Sequence, residues 1–164
     1  MPPAQAEDPE RVLVVDDQHG IVDLYAAWLR RDHDVVTATS GAAGLEAIDE
    51  SVDVAFLDRR MPGCTGDEMV ATIAERGLSP YVVLVTAAEP GPEIVSMAID
   101  DYLHKPVSKA DLETAIRDYR ICTAYDGTVR ELNAKTNKHE ALAAGVTEQE
   151  HTGHPAVQAL AEEI

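Results

Sequence analysis

The chain has 164 residues, with 30 acidic side chains against 13 basic ones and a net charge of −17. This length fits one well-filled domain with a short addition rather than two full domains, and 45% hydrophobic residues suffice for a packed core. A field of that sign opposes phosphate backbones, so non-specific nucleic-acid binding is excluded without a local basic patch, which the sequence lacks.

The acidity has a plain account in solubility at high salt, where carboxylates keep a surface hydrated while salt screens their repulsion. Residues 1–10 are acidic and contain prolines, with no signal-peptide pattern, and read as a flexible N-terminus. No apolar run approaches the roughly 20 residues that span a bilayer. The expectation is a soluble, cytoplasmic, halophilic protein without membrane contact. Cys64 and Cys122 have no zinc or redox spacing, so free thiols are expected.

From Arg11 to about Cys122, short apolar runs alternate with helical patterns. Val12–Val15 reads as the first strand. A helix follows, with Ile21, Leu24, Tyr25, Trp28 and Leu29 as its apolar stripe. Asp34–Thr39 is the second strand, and Ser40 an N-cap for a helix that turns Leu45 and Ile48 inward. Val52–Leu57 is the third strand, followed by a helix with Met69, Val70 and Ile73 facing the core. Tyr81–Val85 is the fourth strand, and Pro92–Ile99 a short, weakly signalled fourth helix. Asp101–His104 is the fifth strand, and Ser108 caps a last helix that buries Leu112, Ala115, Ile116 and Tyr119.

This alternation implies a parallel sheet covered on both faces: an α/β, flavodoxin-like, doubly wound five-stranded architecture of undetermined strand order. Beyond Cys122 the pattern changes. Tyr125, Val129 and Leu132 lie at helical spacing, then Ala141 and Leu142, and residues 156–164 read as a short helix. A small helical appendage over residues 123–164 is expected.

Polar residues end four of the five strands. Asp16 and Asp17 follow VLVV, Asp58 follows VAFL, Thr86 follows YVVLV and Lys105 follows DYLH. Singly, each would pass for a helix cap, a loop hydroxyl or a surface charge. In a parallel sheet all of them open on one edge, so residues scattered over 90 positions converge. Clustered carboxylates repel one another unless a cation sits among them, and an all-oxygen set suits Mg²⁺. The chemistry that needs this set is phosphoryl transfer to a carboxylate: Asp58 as nucleophile, Thr86 as hydrogen-bond donor and Lys105 as point charge.

VLVVDD, FLDRRMPGCTGDEM, VLVTA and DYLHKP together resemble the signature blocks of response-regulator receiver domains, over residues 11–122. The resemblance implies Asp58 as phosphoacceptor, and Asp16, Asp17 and the main-chain carbonyl of Arg60 beside it at the metal. It implies Thr86 and Tyr102 as a switch couple, with Tyr102 turning inward and altering the face of the fourth helix, fifth strand and fifth helix. It also implies a cis bond before Pro106. The phosphodonor would be a histidine kinase and the output a downstream protein, with a homodimer possible. The domain would catalyse only its own phosphotransfer and slow dephosphorylation, and so would not be an enzyme in the ordinary sense. Three positions depart from the family pattern: Val107 where Phe is common, Ala98–Ile99 in place of Gly-Ala, and Arg60, whose guanidinium is expected beside the site. The tail segment AYDGTVRELNAKTNKHEALAA resembles the HalX domain of haloarchaeal regulators.

Rival readings are weaker on specific residues. A haloacid-dehalogenase-type phosphatase needs an acid two residues past Asp58, where Arg60 stands, and a P-loop enzyme needs a Gly-Lys dipeptide that the chain lacks. A flavodoxin-like binding module without phosphotransfer would leave the acids and Lys105 unexplained. A transcription regulator whose tail reads DNA meets three bases and seven acids from Ile121 onward, so no DNA binding is expected. Truncation after Cys122 is expected to leave phosphorylation intact. Cys64 is expected to have no redox role, and His139, His151 and His154 are expected to be solvated rather than metal ligands.

Overall fold

The computed structural model describes residues 9–125 and 127–145. Five parallel strands form one sheet: β1 (Arg11–Val15), β2 (Asp34–Ala38), β3 (Val54–Leu57), β4 (Tyr81–Thr86) and β5 (Asp101–His104), in the order β2-β1-β3-β4-β5. Alternation along each strand divides the core in two. Leu13, Val15, Ala55, Leu57, Val82 and Leu84 face one side, and Val12, Val14, Val54, Phe56, Val83 and Val85 the other.

Helices α1 (His19–Leu29), α2 (Gly41–Ala47), α3 (Gly66–Glu75) and α4 (Lys109–Thr123) cover the two faces. The chain moves one way from β1 to β2 and the other way thereafter, so right-handed crossovers put α2 and α3 on one face and α1 with α4 on the other. Side-chain caps start three of them: Ser40 accepts from the Ala43 amide at α2, and Thr65 with Glu68 and Ser108 with Asp111 form capping boxes at α3 and α4. In α1 the buried residues are Val22, Tyr25, Ala26 and Leu29, whereas Leu24 is 44% exposed. Ile21 and Trp28 pack against the same cluster, so of the expected stripe only Leu24 turns away from the core.

The β4–β5 crossover departs most from expectation. Instead of a helix over Pro92–Ile99 it makes one 3₁₀ turn, Pro92–Ser96, with Ile94 buried. Pro92 starts the turn and the extended Met97 ends it, so the segment is too short to cover the sheet beside β5. A fifth helix, α5 (Gly127–Gly145), returns across that face and packs on β5 and the 3₁₀ turn. Leu142 is buried in the same cluster as Leu84, Ile94, Ile99 and Tyr102. Of the apolar positions read at helical spacing, Ala141 and Leu142 dock and Val129 is half-buried, while Tyr125 and Leu132 are exposed; Asn133, Asn137 and Lys138 complete the docking face.

Glu10, placed in the flexible N-terminus by the sequence, is buried and held by Arg120 and by His33 at 3.0 Å. The other ring nitrogen of His33 meets Glu113 at 3.0 Å, so this network pins the start of β1 to α4. Residues 1–8, the helix expected over 156–164, and His151 and His154 lie outside the described residues. No described helix is long and apolar enough to cross a membrane.

Candidate functional site

The site is built by main-chain ladders that run one step past the strands. Asp16 N donates to Ala38 O (3.2 Å), Asp58 N to Val15 O (2.9 Å) and Lys105 N to Thr86 O (2.8 Å). These bonds set Asp16, Asp58, Thr86 and Lys105 side by side at the carboxyl edge of the sheet, where the direction of chain crossing reverses between β1 and β3. Gly66 opens α3 against the Asp58 main chain. A Cβ there would lie 2.4 Å from the Asp58 carbonyl oxygen, so the tight return of the β3–α3 loop needs glycine.

Oxygens of Asp16, Asp17 and Asp58 all lie within 4.8 Å of one another, with Asp16 and Asp58 buried and Asp17 half-buried. Lys105 Nζ stands 2.6 Å from Asp16 Oδ2 and 3.5 Å from Asp58 Oδ2. Gln18 N donates to Asp16 Oδ1 (2.9 Å) and Arg60 N to Asp58 Oδ1 (3.3 Å). Thr86 lies beside Asp58 at the strand edge, and its Oγ1 accepts from Ala88 N (3.2 Å).

Burial, and then the Asp16 charge, push the Asp58 pKa above the ordinary carboxylate range, while Lys105, the Arg60 amide and Thr86 pull it back. Burial draws the Lys105 pKa down, but its bond to Asp16 and the charge of Asp58 more than offset this and hold the ammonium firmly protonated. Three carboxylates facing one ammonium leave an excess of negative charge. The donor set is all oxygen, which fits a small, hard divalent cation. The residues present therefore suit the metal that the sequence implied.

Tyr102 is already turned inward, 5% exposed, with its hydroxyl donating to Ala88 O at 2.7 Å. The Lys105–Pro106 bond is cis. Arg60, expected to set its guanidinium beside the site, is exposed, and only its amide touches Asp58. The neighbouring Arg59 has the structured side chain. It donates to both oxygens of Asp67 (2.9 and 3.2 Å) and to Glu93 (2.5 Å), and lies 5.9 Å from the centre of the Tyr102 ring. Sequence reasoning missed Arg59, because its partners lie on α3, the 3₁₀ turn and β5 and share no local spacing with it. The Cys64 thiol is pushed up by burial and by Glu68, the opposite of a reactive thiolate. His139 is half-buried rather than solvated.

The family model for the response regulator receiver domain matches residues 12–117. A Haloferax volcanii protein, described provisionally as a transcriptional regulator, is 39% identical over 141 residues, covering 85% of this chain but 24% of that protein. The transcriptional regulatory protein CutR of Streptomyces coelicolor is 37% identical over 112 residues, covering 65% of this chain and 52% of CutR. The chain thus spans about a quarter and about half of these two relatives' lengths. Among solved structures, a receiver domain protein of Clostridium thermocellum matches with a TM-score of 0.62 and 28% identity, over 67% of this chain and 93% of that one. The expected fold holds in strand number, direction and coverage of both faces, and the chain belongs to the response regulator receiver domain family.

Proposed function

We propose that this receiver takes one phosphoryl group on Asp58 from a histidine kinase, in a Mg²⁺-dependent reaction, and signals by a change of surface. The observation that carries this reading is the meeting of Asp16, Asp17 and Asp58 oxygens within 4.8 Å, with Lys105 Nζ reaching two of the three. Asp58 Oδ attacks the phosphorus of the donor's phosphohistidine, the new O–P bond forms, and the P–N bond to the imidazole breaks. Lys105 meets the charge of the transferring group, and the Thr86 hydroxyl donates to one of its oxygens. Mg²⁺, held by Asp16, Asp17, Asp58 and the Arg60 carbonyl, would supply the remaining charge neutralisation. Hydrolysis of the acyl phosphate, in which water attacks phosphorus and frees the Asp58 carboxylate, resets the site.

The acidity of the chain, with a relative in Haloferax volcanii, supports a high-salt cytoplasm as its setting. The transcriptional names of the relatives belong to proteins longer than this chain. For this chain the net charge of −17 favours a protein partner, a second copy included, over a duplex.

Intact-mass measurement after acetyl phosphate and Mg²⁺ tests the reading. One phosphoryl adduct is expected on the natural chain and none on Asp58→Asn. An adduct that survives Asp58→Asn at full yield refutes it.

A further inference from the structure

We propose that α5 is the element through which the state of Asp58 leaves the domain: it occupies the sheet face that the short β4–β5 crossover leaves bare, and its seat loosens when a phosphoryl group sits on Asp58. The coupling rests on the phosphoacceptor reading above.

The seat is unusual in being held by polar bonds. Arg130 grips both oxygens of buried Asp100 at 2.7 and 2.9 Å. Asn137 Nδ2 donates to Asp100 O (2.8 Å), and Asn133 Nδ2 to the Tyr81 hydroxyl (2.6 Å). The buried ammonium of Lys138 donates to Val95 O (3.1 Å) and Met97 O (2.8 Å), closing the open end of the 3₁₀ turn. The apolar share comes from Ala141 and Leu142. A helix held mainly by hydrogen bonds at its edge can open without unfolding the sheet beneath it.

The same bonds connect the seat to the acidic pocket. Thr86 stands beside Asp58 at the carboxyl edge of the sheet, and Thr86 Oγ1 accepts from Ala88 N. Ala88 O in turn receives the Tyr102 hydroxyl, and Tyr102 lies two residues from Asp100, which Arg130 and Asn137 hold. Ala88 also lies on the crossover whose carbonyls, at Val95 and Met97, Lys138 binds. Arg59, next to Asp58, adds a second link by bonding Glu93 on the 3₁₀ turn and stacking on Tyr102. A phosphoryl group gives Thr86 a more strongly charged acceptor further from the strand. Thr86 carries the Ala88 amide with it, and the crossover then moves against Lys138 and Arg130. Coupling is reciprocal, so a free α5 also eases that movement.

Hydrogen exchange on the full chain in molar KCl and Mg²⁺, with and without beryllofluoride, reads the seat, and acetyl phosphate labelling reads Asp58 in parallel. Amides over residues 133–142 are expected to exchange about fivefold faster or more with beryllofluoride, with those of α3 little changed. Lys138→Met keeps the side-chain length and removes the donors. It is expected to label on Asp58 at least as readily as the natural chain, to exchange fast in α5 without beryllofluoride, and to respond no further. Normal labelling with unchanged or slower α5 exchange overturns the proposal, as does a full response in Lys138→Met. Absence of label on Asp58 refutes the phosphoacceptor reading and the coupling with it.

Discussion

Leu142→Ala and Leu132→Ala distinguish the docked face of α5 from its exposed one. Leu142 is 1% exposed and sits among Ile94, Ile99 and Tyr102, whereas Leu132, on the stripe that periodicity favoured, is 50% exposed. Leucine-to-alanine changes at buried sites cost about 2–5 kcal/mol through lost transfer energy and the cavity left behind. Leu142 lies in the last turn of α5, where the backbone can settle into the gap, so the low end applies, about 2–3 kcal/mol. For a domain of this size that lowers Tm by roughly 6–12 °C. Leu132→Ala should stay within about 0.5 kcal/mol. Urea melts at fixed molar KCl, followed by Trp28 fluorescence and far-ultraviolet circular dichroism, give both values. The m-value is expected to stay constant, so that the midpoint alone reports the change. A Leu142→Ala cost under about 0.5 kcal/mol, or a larger cost for Leu132→Ala, refutes this docking of α5. By the same reasoning, removing everything after Cys122 would leave buried Asp100 without Arg130 and bare the apolar seat, so that truncation should cost stability rather than be silent.

Three further outcomes are expected. Asp17→Ala should weaken Mg²⁺ binding about tenfold or more in calorimetric titration, while raising the metal-free Tm by relieving carboxylate repulsion; unchanged affinity would remove Asp17 from the metal. Burial, with Asp118, Glu140 and Asp100 nearby, pushes the Asp101 pKa up to about 7, although the Tyr102 amide opposes it. The folded state then holds a proton that the unfolded chain releases near pH 4, so this group costs stability progressively from about pH 4 to pH 7 and fully above that. Asp101→Asn should flatten that part of the stability curve and add roughly 1–2 kcal/mol above pH 7, allowing for partial solvent access; parallel curves would contradict it. Gel shifts should show no DNA binding by the intact chain at low or molar salt, and a sequence-specific shift lost on removal of α5 would make that helix a DNA reader.

The sheet was legible because buried strands must be apolar on both faces. VLVV, VAFL and YVVLV carry that signal alone, and all five strands lie within two residues of their expected ends. The acidic pocket was legible for a related reason: a polar residue directly after such a strand stands at the carboxyl edge wherever the strand falls in the sheet. Strand order was not legible, since it depends on crossovers rather than on strand composition. Arg59 was hidden between two more suggestive neighbours, Asp58 and Arg60. Nothing in the local sequence says which of two adjacent arginines meets a tyrosine on β5 and which meets water.

The polar part of the α5 docking face, unlike Ala141 and Leu142, was not legible because hydrophobic periodicity assumes that a helix buries apolar side chains. That holds where the partner surface is a finished apolar face, and β5 does not present one. Its crossover stops after a single 3₁₀ turn, leaving the carbonyls of Val95 and Met97 and the carboxylate of Asp100 turned toward the open side of the sheet. Buried groups of that kind demand donors, so the complementary helix face must carry Arg, Asn and Lys. Arg130, Asn133, Asn137 and Lys138 follow helical spacing as regularly as any apolar stripe. In a chain with only 13 basic residues, two of them, half-buried Arg130 and buried Lys138, are turned toward the domain on this one face, which a solvated extension would not require. The short crossover and the polar helix are therefore one feature: the first leaves acceptors beside Tyr102 that the second pairs.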